Sequence, residues 1–156
     1  MADPVIEPKA FEGPRGEQLM NVSNFAERVI FHDDTQTMEV DFSDCVFEKG
    51  ADVHAFYDVI ESKLKATGKS WYFLVNYRNT RINEGAWFAF SYRGKGVNEA
   101  YSLGSVRFDA EEETAKTIRQ KAREEDFKSN LFHSRSAAQQ RISEMRAQAS
   151  EMRYAS

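Results

Sequence analysis

The fold is decided by residues 71–87, which read WYFLVNYRNTRINEGAW. The first five residues, Trp71 to Val75, form an unbroken apolar run that is rich in aromatic rings. An apolar run of this length is typical of a strand inside a parallel sheet, where helices cover both faces. The polar residues from Asn76 to Arg81 predict a loop at the end of that strand.

Two helices are expected on either side of this strand. The first opens near Gly50, is closed by Gly68 as a C-terminal cap, and carries an apolar stripe of Val53, Phe56, Tyr57, Ile60 and Leu64. The second is expected from about 83 to 101, with two internal glycines that cost roughly 1 kcal/mol each relative to alanine.

Residues 27–32 and 37–42 predict a β-hairpin joined by a polar turn. Its second strand alternates: one face carries Met38, Val40 and Phe42, and the other, predicted to face solvent, carries Thr37, Glu39 and Asp41. Residues 104–108 predict a further short strand, which ends at Asp109 as the cap of the following helix.

From residue 110 to about 153 the chain consists almost entirely of helix-forming residues, with a bend expected between 130 and 136. The later part has a weak heptad seam of Leu131, Ala138, Ile142, Met145, Ala149 and Met152. An isolated helix of this kind is marginal, so it is expected to pack on the domain's own sheet, on a second copy or on another protein. Apolar faces that contain methionine suit adaptable interfaces, which makes this a candidate interaction helix.

The predicted order is therefore ββαβαβα: a small mixed α/β sheet with helices mainly on one face and a long C-terminal helical extension. We divide the chain into a flexible leader (1–24), an α/β domain (25–130) and the extension (131–156). Alternatively, Val5, Ile6 and Phe11 of the leader dock on the domain or on a partner.

The element order, and the polar turn between the apolar strand and the second helix, resemble the STAS domain, named for sulfate transporters and anti-sigma-factor antagonists. The nearest branch is the SpoIIAA-like proteins of bacteria, and the resemblance covers roughly residues 25–128. It implies a small α/β module that binds protein partners, with some members binding nucleotides or lipids, and usually no enzymatic activity.

One departure from that family concerns its phosphorylation switch. Where anti-sigma-factor antagonists have Asp-Ser-Ser-Gly, this chain has Ile82-Asn83-Glu84-Gly85. The glycine matches, but no hydroxyl occupies the phosphorylated position, and the nearest one belongs to Thr80. The departure argues against the family's phosphorylation mechanism, so only the location of the surface carries over.

That surface is the leading candidate for a ligand or regulatory site, because ligands of open α/β sheets collect at the carboxyl ends of parallel strands. It comprises Asn76, Tyr77, Arg78, Asn79, Thr80, Arg81, Asn83 and Glu84. Arginine is suited to recognising phosphate or carboxylate. The alternative is an ordinary solvated loop.

A dense aromatic cluster follows the loop. Most of its rings are expected in the core, because large aromatic side chains are usually buried. Phe88 and Tyr92 fall off the helical stripe of Trp87 and Phe90, so the alternative is an apolar patch of Trp87, Phe88 and Tyr92 that contacts a ligand or a subunit.

Composition and motifs exclude several functional classes. A net charge of −4 over 156 residues argues against a nucleic-acid binder, and no apolar run is long enough for a membrane span. Neither a secretory signal nor a spacing suited to metal ligands is visible, and Cys45 is the single cysteine. The stretch 92–96 has the glycines and cations of a phosphate cradle but not the required order. We therefore expect a cytoplasmic protein without metal or cofactor.

The leading functional hypothesis is a non-enzymatic STAS-like module. It would bind a protein partner or a second copy through the C-terminal helix, with the loop at 76–84 as its regulatory surface. The alternative is a carrier or sensor of a small anionic or lipid-like ligand, held at the aromatic patch with Arg78 or Arg81 on its head group. An enzyme that uses Glu84 or His54 as a base is the weakest hypothesis.

Overall fold

The structure, a computed structural model, describes residues 22–155. Its helices are α1 Val22–Phe25, α2 Gly50–Thr67, α3 Glu84–Tyr101, α4 Glu112–Glu124 and α5 Arg135–Ala155. Its strands are β1 Val29–His32, β2 Thr37–Asp41, β3 Val46–Phe47, β4 Trp71–Asn76, β5 Arg81–Ile82, β6 Ser102–Phe108 and β7 Leu131–Phe132. Residues 1–21 of the predicted leader, with Val5, Ile6 and Phe11, lie outside the described residues. None of the helices in 22–155 is long and apolar enough to cross a bilayer.

Five strands form one mixed sheet in the order β1-β2-β4-β6-β7. The predicted hairpin supplies the antiparallel pair β1 and β2, and every later pair in this sheet is parallel. β3 and β5 form a separate two-stranded parallel sheet. The predicted α/β class with a mixed sheet is confirmed. The sequence did not reveal β3, β5 and β7, because two-residue strands leave no periodic pattern.

Strand β4 lies in the middle of the sheet and is covered on both faces, as its apolar run predicts. Trp71 and Phe73 belong to one buried cluster, whereas Tyr72 and Leu74 belong to another. The division follows from strand geometry, since successive side chains point to opposite faces. The two clusters define what we call the first face and the second face of the sheet.

The first face is packed by α2, α3 and α4, whose buried residues there include Phe56, Ile60, Phe90, Val97 and Ile118. The bounds of α2 match their prediction, and Gly68 closes the helix in the left-handed conformation, at a φ of 66°. α3 runs unbroken through Gly94 and Gly96. Gly94 has a packing role, because a Cβ there would lie 3.3 Å from the Tyr57 hydroxyl oxygen.

The second face is covered by α5, which corrects the prediction that one face of the hairpin is exposed to solvent. Ala138 and Ile142 of α5 are buried against the sheet. Glu39, on the face of β2 predicted to be wet, keeps 13% side-chain exposure and accepts hydrogen bonds from Arg135 at 2.7 and 2.8 Å. The alternating pattern reveals a polar strand face, but not that a helix 96 residues later brings a cation to it.

The segment between β6 and α5 differs most from its prediction. Asp109 has a φ of 62° and does not cap α4, whose N-cap position is Glu111. After α4 ends at Glu124, the chain turns through Asp126 and Asn130, at φ values of 58° and 45°, into β7. Helix-forming residues concealed this break, because the left-handed positions are occupied by Asp and Asn instead of glycine.

Candidate functional site

The predicted loop surface, residues 76–84, lies at the carboxyl ends of β2 and β4. Its amides are engaged by neighbouring carboxylates: Asn76 Nδ2 donates to Asp41 Oδ1 at 3.3 Å, and Asn79 Nδ2 donates to Asp44 Oδ1 at 2.9 Å. A guanidinium nitrogen of Arg78 lies 3.6 Å from Asp44 Oδ2, and both of these side chains are more than half exposed. The two amides therefore hold the loop in shape, while Arg78 faces solvent.

Two members of the predicted loop surface are in the interior. Tyr77 is 4% exposed and Thr80 is fully buried. Thr80 Oγ1 donates to the Phe42 carbonyl at 2.8 Å, which ties the loop to the end of β2. The other members, Arg81, Asn83 and Glu84, are exposed, and Glu84 lies in the first turn of α3.

Phe88 and Tyr92 are exposed, which corrects the expectation that they belong to the core. Phe88 is 80% exposed and Tyr92 is 67% exposed, and their rings stack with centroids 6.2 Å apart. Trp87, the third residue of the predicted patch, is half-buried and lies edge-on to Phe90 at 5.7 Å. The exposed aromatic surface on α3 therefore consists of Phe88 and Tyr92, which we call the aromatic pair.

The predicted interaction seam divides into two parts. Ala138 and Ile142 are buried on the second face, and Met145 packs beside them against Gly104. Leu131 lies in β7 and not in a helix. Ala149 is half-buried, and Met152 is 71% exposed near the end of α5. The first part of the seam therefore packs against the sheet of the same chain and is not available to another molecule.

The weaker candidates have structural roles. The glycine and cation stretch at 92–96 lies inside α3, where Arg93 donates to Asp58 and Glu61 at 2.9 Å each. Burial raises the pKa of the Cys45 thiol to about 12, which keeps it protonated and unreactive at neutral pH. Within residues 22–155, no three His, Cys, Asp or Glu side chains are grouped to hold a metal ion.

A cavity of about 570 Å³ lies between the first face of the sheet and helices α3 and α4, at a place the sequence does not indicate. Its walls are largely apolar and include Met38, Val40, Phe73, Val75, Phe90, Val97 and Ile118. Ser91 and Gly94 of α3 leave room, because neither fills the space beneath the helix. A concave cavity of this size that combines apolar walls with polar groups is typical of small-molecule sites.

Of the polar residues that line the cavity, Tyr57 and Tyr77 are the buried ones, and Arg107 lies close to their hydroxyls. Lysine and carboxylate side chains also belong to the lining, among them Lys95, Lys121, Glu99 and Glu125. Burial raises the pKa of both tyrosine hydroxyls, and the nearby Arg107 guanidinium offsets part of that rise. Both hydroxyls therefore stay protonated at neutral pH and can donate hydrogen bonds. Arg107 adds a fixed positive charge beside them, since arginine does not lose its proton in proteins.

The Tyr57 hydroxyl has no protein partner. In the part of the chain that the structure describes, no group forms a hydrogen bond to it, although the residue is only 5% exposed. It lies against Gly94, which lines the same cavity. A buried hydroxyl without a partner costs about 1–3 kcal/mol, so it is free to bind a molecule placed in the cavity.

The cavity lining extends to α3 and to the segment that joins α4 to β7, where exposed residues mark its rim. Lys95 and Glu125 approach each other across it, with 3.6 Å between Nζ and Oε1. Arg107 Nη1 donates to the Ser129 carbonyl at 2.9 Å, and the guanidinium lies 5.7 Å from the ring centroid of Phe127. Arg107 therefore extends from the tyrosine hydroxyls to the rim, where an entering anion would meet it.

A scan against protein-family models, a search of curated proteins and a search of solved structures each find no match to the chain. The resemblance to the STAS domain therefore stays a prediction. The functional assignment rests on the geometry of residues 22–155.

Proposed function

We propose that this chain binds a small amphipathic anion in the cavity beneath α3, as a carrier or sensor of that molecule. The observation that carries the proposal is the buried Tyr57 hydroxyl, which has no hydrogen-bond partner within residues 22–155 and lies near the fixed charge of Arg107. A ligand oxygen would satisfy this donor, and the charge of Arg107 would favour an anionic one.

The remaining walls define the other end of the ligand. Their apolar part is formed by aliphatic and aromatic side chains from β2, β4, α3 and α4. Burying a hydrocarbon chain against such walls is favourable by about 25 cal/mol per Å² of apolar surface removed from water. A fatty-acid-like molecule, with a carboxylate, phosphate or sulfate head and an apolar tail, fits both ends. The proposal is of binding without chemistry.

This proposal places the ligand's head group at a different arginine from the ones that the sequence suggested. The sequence pointed to Arg78 or Arg81 on the loop, with the tail at the aromatic patch, whereas the cavity favours Arg107 and an interior tail. The support comes from position, because Arg107 lines the cavity and Arg78 pairs with Asp44 on the surface.

The second candidate function is the STAS-like interaction module that binds a protein partner or a second copy. One observation favours it: Phe88 and Tyr92 are exposed side by side on α3. In this hypothesis the loop at 76–84 is still the regulatory surface, and α5 offers only its exposed end, around Met152.

The experiment is a fluorescence titration with cis-parinaric acid and, separately, with its uncharged methyl ester. Wild type is expected to bind the acid at least about tenfold more tightly than the ester, because a hydrogen bond to a charged group is worth about 1.5–3 kcal/mol. Arg107→Gln should lose that preference. The matched control, Arg78→Gln, should keep it.

Two results would contradict the proposal. One is the absence of saturable binding of either probe. The other is a preference for the acid that Arg78→Gln removes and Arg107→Gln leaves intact, which would return the head group to the loop.

A further inference from the structure

The aromatic pair on α3 consists of the two most exposed large aromatic side chains among the described residues. Phe88 and Tyr92 are four residues apart, so they lie one turn apart on the same side of the helix, and their planes differ by only 9°. Exposed aromatic rings placed together in this way usually mark an interaction site.

The rest of this side of α3 is set by helical spacing. Glu84 lies one turn before Phe88, and Lys95 lies two turns after it. All four side chains are exposed. The stripe therefore has an acidic end, an aromatic centre and a basic end, a pattern that becomes its own complement when the helix direction is reversed.

We propose that this stripe is an interface with a second copy of the chain, in which the two α3 helices pack antiparallel around a two-fold axis near residue 90. An antiparallel pair brings together residues whose numbers sum to about 180. Phe88 of one copy then lies opposite Tyr92 of the other, and Glu84 lies opposite Lys95. Two-fold symmetry repeats each contact, which is the usual arrangement of a homodimer.

The charges favour a second copy over an unrelated partner. Glu84 and Lys95 lie on the same flank of the aromatic pair. The two-fold axis is perpendicular to the plane that contains both helices, so this flank lies on the same side of the interface in both copies. Opposite charges therefore meet twice, and like charges do not. Lys95 also lies 3.6 Å from Glu125 in its own chain, but this is an exposed surface pair that leaves the ammonium free to make a second contact.

The size of the stripe sets the expected affinity. One pair of 18-residue helices buries less than the roughly 1,200–2,000 Å² of a standard stable interface, so a reversible dimer is expected. Phe88 and Tyr92 do not line the cavity, so the aromatic contact of the dimer does not require a ligand there.

The test is sedimentation velocity of the full chain over a concentration series. We expect wild type to shift from monomer to dimer. Phe88→Ala combined with Tyr92→Ala should weaken the dimer at least about 30-fold, since central aromatic residues dominate interfaces. The matched control is Ile30→Ala, which removes another exposed apolar side chain, on the edge strand β1, and should leave the dimer unchanged.

A charge exchange tests the register. Glu84→Lys and Lys95→Glu should each weaken the dimer roughly tenfold, because each introduces two like-charge contacts. The double variant should recover most of the loss, since the opposite charges then meet again with their places reversed. A wild type that stays monomeric at all concentrations would overturn the proposal. So would a dimer that survives loss of both aromatic rings, or a double variant as weak as the two single changes combined.

Discussion

The two faces of the sheet are built from similar apolar residues but differ in whether their polar side chains have hydrogen-bond partners. On the second face, the Glu39 side chain keeps only 13% exposure, and its carboxylate oxygens lie within 2.9 Å of Arg135 nitrogens and of His32 Nε2. On the first face, Tyr57 is buried at the edge of a cavity, and its hydroxyl has no hydrogen-bond partner among the described residues.

This difference distinguishes polar groups that stabilise the fold from polar groups that are available to bind a ligand. A charge that is paired ties one element to another, as Arg135 ties α5 to Glu39 of β2. An unpaired buried hydroxyl costs stability and is retained for some other benefit. The contacts of the second face therefore serve stability, and the binding site that we propose lies on the first face.

The largest expected effect is on the second face. Ile142→Ala should lower the free energy of unfolding by about 3 kcal/mol, because Ile142 is 3% exposed between α5 and the sheet and its removal leaves a cavity. Urea denaturation measures the change. Met152→Ala, near the exposed end of the same helix, is the control and should change stability by less than about 0.5 kcal/mol. A loss below about 1 kcal/mol for Ile142→Ala would mean that α5 is loosely packed.

A smaller effect is expected from the charge on the second face. The hydrogen bonds from Arg135 lower the pKa of Glu39 below its usual 4.5. A carboxyl with a lowered folded-state pKa stabilises the protein above its unfolded value, and loses that contribution as the pH falls through the folded value. Wild type should therefore exceed Glu39→Gln by about 1–2 kcal/mol at pH 7, and the difference should shrink below pH 4.

Urea denaturation at a series of pH values checks this prediction. Glu144→Gln is the control, because Glu144 pairs with Arg141 on the surface of α5 and should matter little at any pH. A difference between wild type and Glu39→Gln that does not vary with pH would show that the Glu39 charge makes no contribution.

The smallest expected effect is on the first face. Tyr57→Phe should raise the free energy of unfolding by about 1 kcal/mol in the absence of ligand, since it removes a buried hydroxyl that has no partner among the described residues. Thr80→Val is the contrast, because it removes a buried hydroxyl that donates to the Phe42 carbonyl and should cost about 1–2 kcal/mol. Equal losses in the two variants, measured by urea denaturation, would remove the distinction between the faces.

The sequence predicts the elements with regular patterns well. The apolar run of β4, the stripes of α2 and α3 and the alternation of β2 are each local, so residue spacing alone identifies them. The covering of the second face could not be predicted, because it depends on where α5 is placed after the turn at Asp126 and Asn130.

The cavity was missed for a related reason. The spacing of apolar residues along the sequence identifies the side chains that fill a core. A cavity instead depends on positions where the side chain is too small to fill the space. Ser91 and Gly94 face the sheet within α3, and Arg107 alternates with buried residues along β6. A charged residue on the inward side of a strand next to small helix residues is a faint signal that, together with the parallel sheet, could have drawn attention to this region. The loop at 76–84 gave a stronger polar pattern, and it remains a predicted surface.

The central claim is that an anionic head group binds beside Tyr57 and Arg107 in the cavity. The most direct measurement is a crystal structure of the full chain with dodecanoate. We predict a carboxylate oxygen about 3 Å from the Tyr57 hydroxyl and from an Arg107 nitrogen, with the tail against Phe90 and Val97. A carboxylate bound at Arg78 or Arg81 with an empty cavity, or no bound dodecanoate at saturating concentration, would contradict the account.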